Sequence, residues 1–459
     1  MTKTGRVLWW LILAMAALGA DVPHAPAAQY LLWDKAASRV DAEVRTWDVG
    51  ELLKRVAAQT RWQIYLQPGV RQVVPARFKN LSEGEALRRL LGDLNFALIP
   101  QTNGPARLYV FRNSRSEATE LVRPQPEETR PKPIEDELVV RLKPGESIEE
   151  LARRLGAKVL GKVDGLNAYR LKFDSAEQAA RARQSLRRDS SVAAIDYNYL
   201  MPRPDAPDEF GLGAPRLPLT PKAPPPGQEI IIGLVDSAVQ MDAGGLNGFV
   251  LNQLSVSGQP VTPPADEPTH GTAMAQTILN GLASALQADA STVRILPVDI
   301  YGHNPTTTTF DVALGVSMAI NNGARIINLS LAGEGDSAIL RDVIRAGHEQ
   351  GIIFFAAAGN EPVSTTLYPA GWPETIGVTA VDPSGRIAAY ANRSAAIDAA
   401  GPSSVPITFY DRTYIVTGTS ASTAYVSGVA AGLAESTGQP LREIERAVPT
   451  LLPVNPARR

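Results

Sequence analysis

Apolar positions change period several times along the chain, and each change marks an element. Between residues 50 and 115, Leu52, Leu53, Val56 and Ala57 recur at helical spacing, as do Ala86, Leu87, Leu90, Leu91 and Leu94. Ser82 with Glu85 three residues later predicts a capping box opening the second helix. Strand-like runs flank both helices at 62–66, 74–78, 96–99 and 108–111, so 29–115 reads as a small α+β module. Residues 136–200 read strand (137–142), helix (148–155), strand (158–160), strand (168–173), helix (176–187), strand (193–197). That is the βαββαβ order of a ferredoxin-like domain. From 228 to 459, apolar strands alternate with helical patterns. This predicts an α/β fold, a largely parallel sheet with helices on both faces, preceded by the two small α+β domains.

Proline separates the segments. A stretch over 116–135 mixes Pro with Glu and Arg, and 201–227 carries nine prolines between Pro202 and Pro226. Such composition predicts semi-rigid, extended linkers. At the amino end, Lys3 and Arg6 precede a 13-residue apolar run over 7–19, followed by Ala25-Pro26-Ala27. The run is shorter than the ~20 residues of a membrane span and suits a signal-peptide core, so 1–28 is expected to be a signal peptide. The alternative is an uncleaved anchor. Export implies a periplasmic or secreted protein, with no membrane span once the signal is removed.

Composition narrows the chemistry. The 459 residues carry 44% apolar and 20% charged side chains, enough for sizeable cores, and a net charge of −2 gives no electrostatic basis for binding nucleic acid or anionic membrane. The absence of cysteine excludes disulfides, thiolate metal sites and a cysteine nucleophile. The only histidines are His24, His270, His303 and His348, and His24 would leave with the signal. Arg181, Arg183, Arg187 and Arg188 form a basic helix face of the kind that is ordinarily solvated.

Four short motifs fall at element junctions, where ligands gather in parallel sheets. Asp236 ends the apolar run 229–235, and His270 opens a helical stretch in Thr269-His270-Gly271-Thr272. Gly359-Asn360 ends the buried strand 351–358, and Ser420 begins a small-residue helix in Thr417-Gly418-Thr419-Ser420. Each has an ordinary reading, as a strand-end Asp, a surface His, a turn or a helix cap. Together Asp, His and Ser can make a nucleophile, its general base and the group that orients that base. The Asn amide and a helix N-terminus can hold an oxyanion.

The order Asp236, His270, Asn360, Ser420 resembles the subtilisin family of serine peptidases (subtilases). The segments 312–331 and 368–382 also resemble that family's sequences. The resemblance implies that Asp236, His270 and Ser420 are catalytic and that Asn360 forms the oxyanion hole. It also implies S1 walls from Ser330, Leu331, Ala332 and Gly333 and from 356–359, including Ala357, Ala358 and Gly359. These walls are small and uncharged, so an apolar or broad preference is expected, with Glu334 and Asp336 in a solvated loop. Residues 136–200 resemble subtilase pro-domains, notably in Leu155-Gly156-Ala157-Lys158-Val159 and Gly165-Leu166-Asn167-Ala168-Tyr169. The implied function is an exported serine endopeptidase made as an autoprocessed zymogen, acting on protein or peptide substrates and cut between 199 and 228. Tyr199 and Leu200 are expected in the cleft.

Residues 29–115, through Phe78-Lys79-Asn80-Leu81-Ser82-Glu83-Gly84-Glu85-Ala86-Leu87, resemble the short N-terminal domain of secretins and TonB-dependent receptors, which implies an envelope protein partner. The other function considered is a catalytically idle docking protein on a subtilase fold. Three departures from the family bear on helix packing: Ala238 in place of Gly, Ala273-Met274-Ala275-Gln276 after the histidine motif, and Ala421-Ser422-Thr423-Ala424 after Ser420. No cofactor is expected. No loop is dense in Asp and Asn, which leaves calcium only the route through backbone carbonyls.

Overall fold

The computed structural model describes residues 30–454 apart from 35–38, 45–46, 68–69, 71, 102–104, 119, 123–132, 213–218, 226, 228, 260, 287, 362–364, 389 and 395. The expected signal peptide lies outside the described residues. The chain divides into two compact units, 1–129 and 130–459.

In the first unit, β1 (Tyr30–Asp34), β2 (Arg39–Val44) and β4 (Ala76–Ser82) form an antiparallel sheet. A second sheet has the order β5 (Asn95–Ile99), β6 (Arg107–Phe111), β3 (Gln63–Leu66), β7 (Glu120–Val122). Helices α1 (Val49–Thr60) and α2 (Glu83–Leu91) bury the predicted apolar stripes, including Leu52, Leu53, Leu87 and Leu90. The capping box forms, with the Ser82 N–H donating to Glu85 Oε2 at 3.2 Å. Strand β7 uses residues from the proline-rich stretch as an edge of this unit.

The second unit begins with β8 (Glu137–Leu142), α3 (Ile148–Leu155), β9 (Lys158–Val163), β10 (Ala168–Lys172), α4 (Ala176–Leu186) and β11 (Val192–Asp196). The sheet is antiparallel in the order β11-β8-β10-β9, the ferredoxin-like arrangement. Strand alternation gives β8 two roles. Leu138, Val140 and Leu142 pack on α3 and α4, while Val139 on the opposite face joins the larger core that follows.

Three short strands cross the second proline-rich stretch: β12 (Leu200–Pro202), β13 (Asp208–Leu212) and β14 (Thr220–Pro221). Beyond them come β15 (Ile231–Asp236), β16 (Leu254–Ser255), α5 (His270–Ala285), β17 (Ala290–Ser291), β18 (Arg294–Asp299), β19 (Thr306–Thr308), α6 (Thr309–Asn321), β20 (Ile326–Leu329), α7 (Ala338–Glu349), β21 (Ile353–Ala357), β22 (Ile376–Val381), β23 (Ala399–Pro402), β24 (Ser404–Phe409), β25 (Arg412–Thr417), α8 (Thr419–Thr437) and α9 (Leu441–Leu451). A seven-stranded sheet of order β16-β18-β15-β20-β21-β22-β23 is parallel throughout. One face buries α5 and α8, the other α6 and α7.

Among its described residues the proline-rich stretch forms extended strands, and it is not a free tether. β12 pairs antiparallel with β19, β13 pairs antiparallel with β25, and β14 pairs parallel with β17.

Candidate active site

Strand β15 is buried along its whole length, and its last residue, Asp236, is held at the carboxyl edge of the sheet with 1% exposure. Thr269 caps α5 by accepting from the Thr272 N–H, which places His270 in the first turn beside Asp236. His270 Nδ1 lies 2.8 Å and 3.0 Å from the two Asp236 carboxylate oxygens. Both side chains are buried, so the contact acts in a medium of low dielectric. The neighbouring Ser237 Oγ accepts from the Gly271 N–H at 2.9 Å, tying the helix start to the strand end.

Ser420 is the second residue of α8 and is also buried. Gly418 before it adopts φ +133°, and a Cβ there would meet Asn360 Nδ2 at 2.9 Å. Ser420 Oγ donates to the Ser330 carbonyl at 3.1 Å, and Ser330 Oγ returns a bond to the Ser420 carbonyl at 3.0 Å. The hydroxyl is thus parked on a backbone acceptor rather than on the imidazole. Asn360 is exposed beyond the end of β21. Its Oδ1 accepts from the Thr419 N–H at 2.8 Å and from Thr419 Oγ1 at 3.0 Å, an assignment that leaves the amide donor, Nδ2, for the cleft.

The cleft has a volume of about 880 Å³ and contains His270, Asn360 and Ser420, with Ser330, Leu331, Ala332, Gly333, Ala357 and Gly359 in its walls. Ala358 differs from expectation. It points away and packs against Ala380, Ile387 and Ala391, because adjacent residues leaving a strand face opposite sides. Residues 202–208 line the same cleft. Leu200 is exposed, whereas Met201 is buried with Tyr301, Phe310 and Leu331. Leu200 nevertheless lines the cleft, as expected, while Met201 packs into the core beside it. Tyr199 instead lies against Gly335, where a Cβ would touch its ring.

Glu334 is an exposed residue of the cleft rim. Asp336 accepts from Trp372 Nε1 at 3.0 Å. His348 pairs with Glu445 at 2.9 Å, His303 is exposed outside this cleft, and Arg183 lies over the Tyr197 ring. Among the described residues no group of three or more His, Asp or Glu is placed to hold a metal ion, and no helix is long and apolar enough to cross a membrane.

Two positioning residues have no assigned role in the sequence reading. Thr419 aims Asn360. Asn328 is buried on β20, donates to Ser330 Oγ at 2.9 Å and accepts from Ser427 Oγ at 3.1 Å, fixing the residue on which Ser420 rests. Both lie inside segments that resemble the subtilisin family, so the available signal was position within a motif.

Residues 227–443 match the subtilase family and residues 121–198 match the fervidolysin N-terminal prodomain. A subtilisin of Bacillus pumilus is 31% identical over 213 residues, covering 45% of this chain and 76% of the relative. Subtilisin E of Bacillus subtilis is 29% identical over 286 residues, covering 60% and 72%. Among solved structures, fervidolysin from Fervidobacterium pennivorans, described as a keratinolytic enzyme related to subtilisin, superposes with a TM-score of 0.53 at 19% identity. That superposition covers 68% of this chain and 56% of fervidolysin. The epidermin leader peptide processing protease of Staphylococcus aureus gives 0.54 at 14% identity, covering 69% and 92%. These two structures share the fold.

Proposed function

Since the chain belongs to the subtilase family of serine peptidases and carries a pro-domain, we propose that Asp236, His270 and Ser420 are its catalytic triad and Asn360 its oxyanion donor. The observation that carries this is the two-oxygen contact of Asp236 with His270 Nδ1 in the cleft that also holds Ser420 and the aimed Asn360 amide. With Nδ1–H held by the carboxylate, Nε2 is the free base. Ser420 Oγ must leave the Ser330 carbonyl, a side-chain rotation, to donate to it; catalytic contacts in resting sites are commonly looser than in the reacting complex. Attack on a substrate carbonyl then sends the proton to His270, and Asp236 stabilises the cation formed. The oxyanion would be met by Asn360 Nδ2 and the Ser420 N–H at the start of α8, where the helix dipole adds to the attraction.

The small walls at Ser330–Gly333, Ala357 and Gly359 support an apolar or broad side-chain preference. The protein is an exported zymogen in this reading, and residues 136–200 inhibit it until self-cleavage. Residues 29–115 then serve as a docking module for an envelope partner, a role supported by their separate folding and by the lack of a triad-like constellation in them. The full chain should retain such a partner in a pull-down, and deletion of 29–115 should abolish retention without abolishing peptide hydrolysis.

A fluorophosphonate probe tests the centre. Wild type should be labelled at Ser420, and both Ser420→Ala and His270→Ala should lose labelling and hydrolysis. Unaltered hydrolysis by Ser420→Ala would rule out the mechanism.

A further inference from the structure

The paths of residues 200–212 and 219–221 point to a second role for the proline-rich stretch, one that rests on the self-processing reading above. On one side of Ser420 the chain is fixed by β12 on β19, and the Arg203 N–H donates to the Pro305 carbonyl at 2.9 Å. On the other side β13 lies along the edge of β25, with Asp208 opposite Ile415 and Leu212 opposite Arg412. β25 runs directly into Gly418 and Ser420. Residues 203–207 bridge the two strands and line the cleft with His270, Asn360 and Ser420. The chain therefore crosses its own active site with strand pairing on both sides.

Four peptide bonds lie within 203–207. Two of them, Arg203–Pro204 and Ala206–Pro207, would require a proline nitrogen to leave, and the ring crowds the carbonyl before it. Pro204–Asp205 and Asp205–Ala206 remain. Cleavage passes the carbonyl carbon of residue 204 or 205 to Ser420 Oγ. The amide nitrogen that follows leaves as a free amine with the proton from His270, and water then releases the acyl group as a carboxylate.

The new amino terminus stays covalently joined to the peptidase. β14 holds it on β17, the Lys222 N–H donates to the Ser291 carbonyl at 2.8 Å, and Glu209 pairs with Arg412 at 2.9 Å. Return of β13 to β25 is then intramolecular and favoured by a high effective concentration.

We propose that after self-cleavage at Pro204–Asp205 or Asp205–Ala206, residues 208–212 remain on β25 as an arm that closes the far end of the cleft on the leaving-group side. Residues 205–207 can swing out, which frees room for two or three substrate residues beyond the scissile bond before Asp208 is met. The substrates favoured are polypeptides that end, or turn out of the cleft, within about that distance.

N-terminal sequencing of the matured full-chain product should read from Asp205 or Ala206. C-terminally amidated peptides that share one sequence before the scissile bond, with two or eight residues after it, test the arm. Wild type should prefer the shorter peptide. The double variant Glu209→Pro, Gly211→Pro, checked for folding by fluorophosphonate labelling, should raise the eight-to-two ratio of kcat/KM about tenfold by breaking the β13 ladder. A mature terminus at or beyond residue 213, or the same ratio in both proteins, overturns the arm while leaving a labelled Ser420 in place. A chain that hydrolyses peptides but stays uncut overturns both the arm and self-processing. Loss of labelling in wild type overturns the peptidase centre itself.

Discussion

Asn360 projects its amide from the end of a strand, and the direction of that amide is decided by Thr419. The threonine supplies both its N–H and its hydroxyl to Oδ1, so the donor end is left for the cleft, where the proposed oxyanion would form. Asn360→Ala should cost about 10²–10³ in kcat with a smaller effect on KM, the loss known for this donor in subtilisins. Thr419→Val keeps the N–H and removes the hydroxyl, so it should lower kcat about tenfold with KM nearly unchanged, one hydrogen bond's worth of orientation. Equal changes in kcat for Thr419→Val and Asn360→Ala would argue against this division. Asp236, His270, Asn360 and Ser420 stand out in sequence because nucleophile chemistry needs those residue types, and the fold brings Asp236 onto His270 beside a cleft that also contains Asn360 and Ser420. Thr419 and Asn328 do not stand out, since a Thr or Asn that orients another side chain carries no chemistry of its own to mark it. Ala358 was assigned to the wall because a motif does not say which of two adjacent residues faces the cleft.

Helices α5 and α8 bring the His270 imidazole and the Ser420 hydroxyl into one cleft by packing backbone to backbone. A Cβ at Gly281 would overlap the Tyr425 carbonyl oxygen, and one at Gly428 would overlap the Ile278 carbonyl oxygen. Gly428→Ala should therefore destabilise the protein by ~1–3 kcal/mol through overpacking, with reduced activity because the two helices move apart. A melting temperature equal to wild type would show that the helices can yield. The departure at Gln276 has a similar logic. Gln276 is wholly buried, accepts from the Thr408 N–H and donates to the Thr408 carbonyl, stitching α5 to β24. A buried amide with backbone partners holds the helix that carries His270, so this departure adds a tie at the position where packing was in question. Element positions and the parallel sheet were readable from apolar runs, since burial on both faces leaves strands nearly free of polar residues. The short strands β12, β13 and β14 were not, because their partners are distant in sequence and proline suppresses the alternation that marks a strand.

At the scale of the whole peptidase unit, the pro-domain is held by polar groups that cap the enzyme's own helices. Asp196 Oδ2 accepts from Ser337 Oγ at 2.8 Å and from the Ile339 N–H at 3.1 Å at the start of α7. Asn198 Oδ1 accepts from the Phe310 N–H at 3.1 Å at the start of α6, and its amide donates to Glu137. Arg170 pairs with both Glu137 and Asp311, and Arg141 with Asp342. Burial raises the Asp196 carboxyl above its usual 3.8, against the pull of its hydrogen bonds, and burial likewise raises Asp311. The folded, docked state thus binds protons more readily than the unfolded chain at these sites. Their contribution to stability is larger at acid pH and is lost as pH rises through the interval above 3.8. Mild acid should therefore not loosen the pro-domain through these carboxylates. In the unprocessed Ser420→Ala background, Asp196→Asn retains an acceptor without the charge. The protein that keeps Asp196 should therefore gain stability relative to its Asp196→Asn variant as pH falls from 7 to 5. Asp196→Ala leaves two buried donors unpaired and should cost ~1–3 kcal/mol at either pH. Thermal unfolding at the two pH values decides the matter: a relative contribution of Asp196 that shrinks on acidification would mean that its helix-capping bonds outweigh its burial, and that acid releases the enzyme.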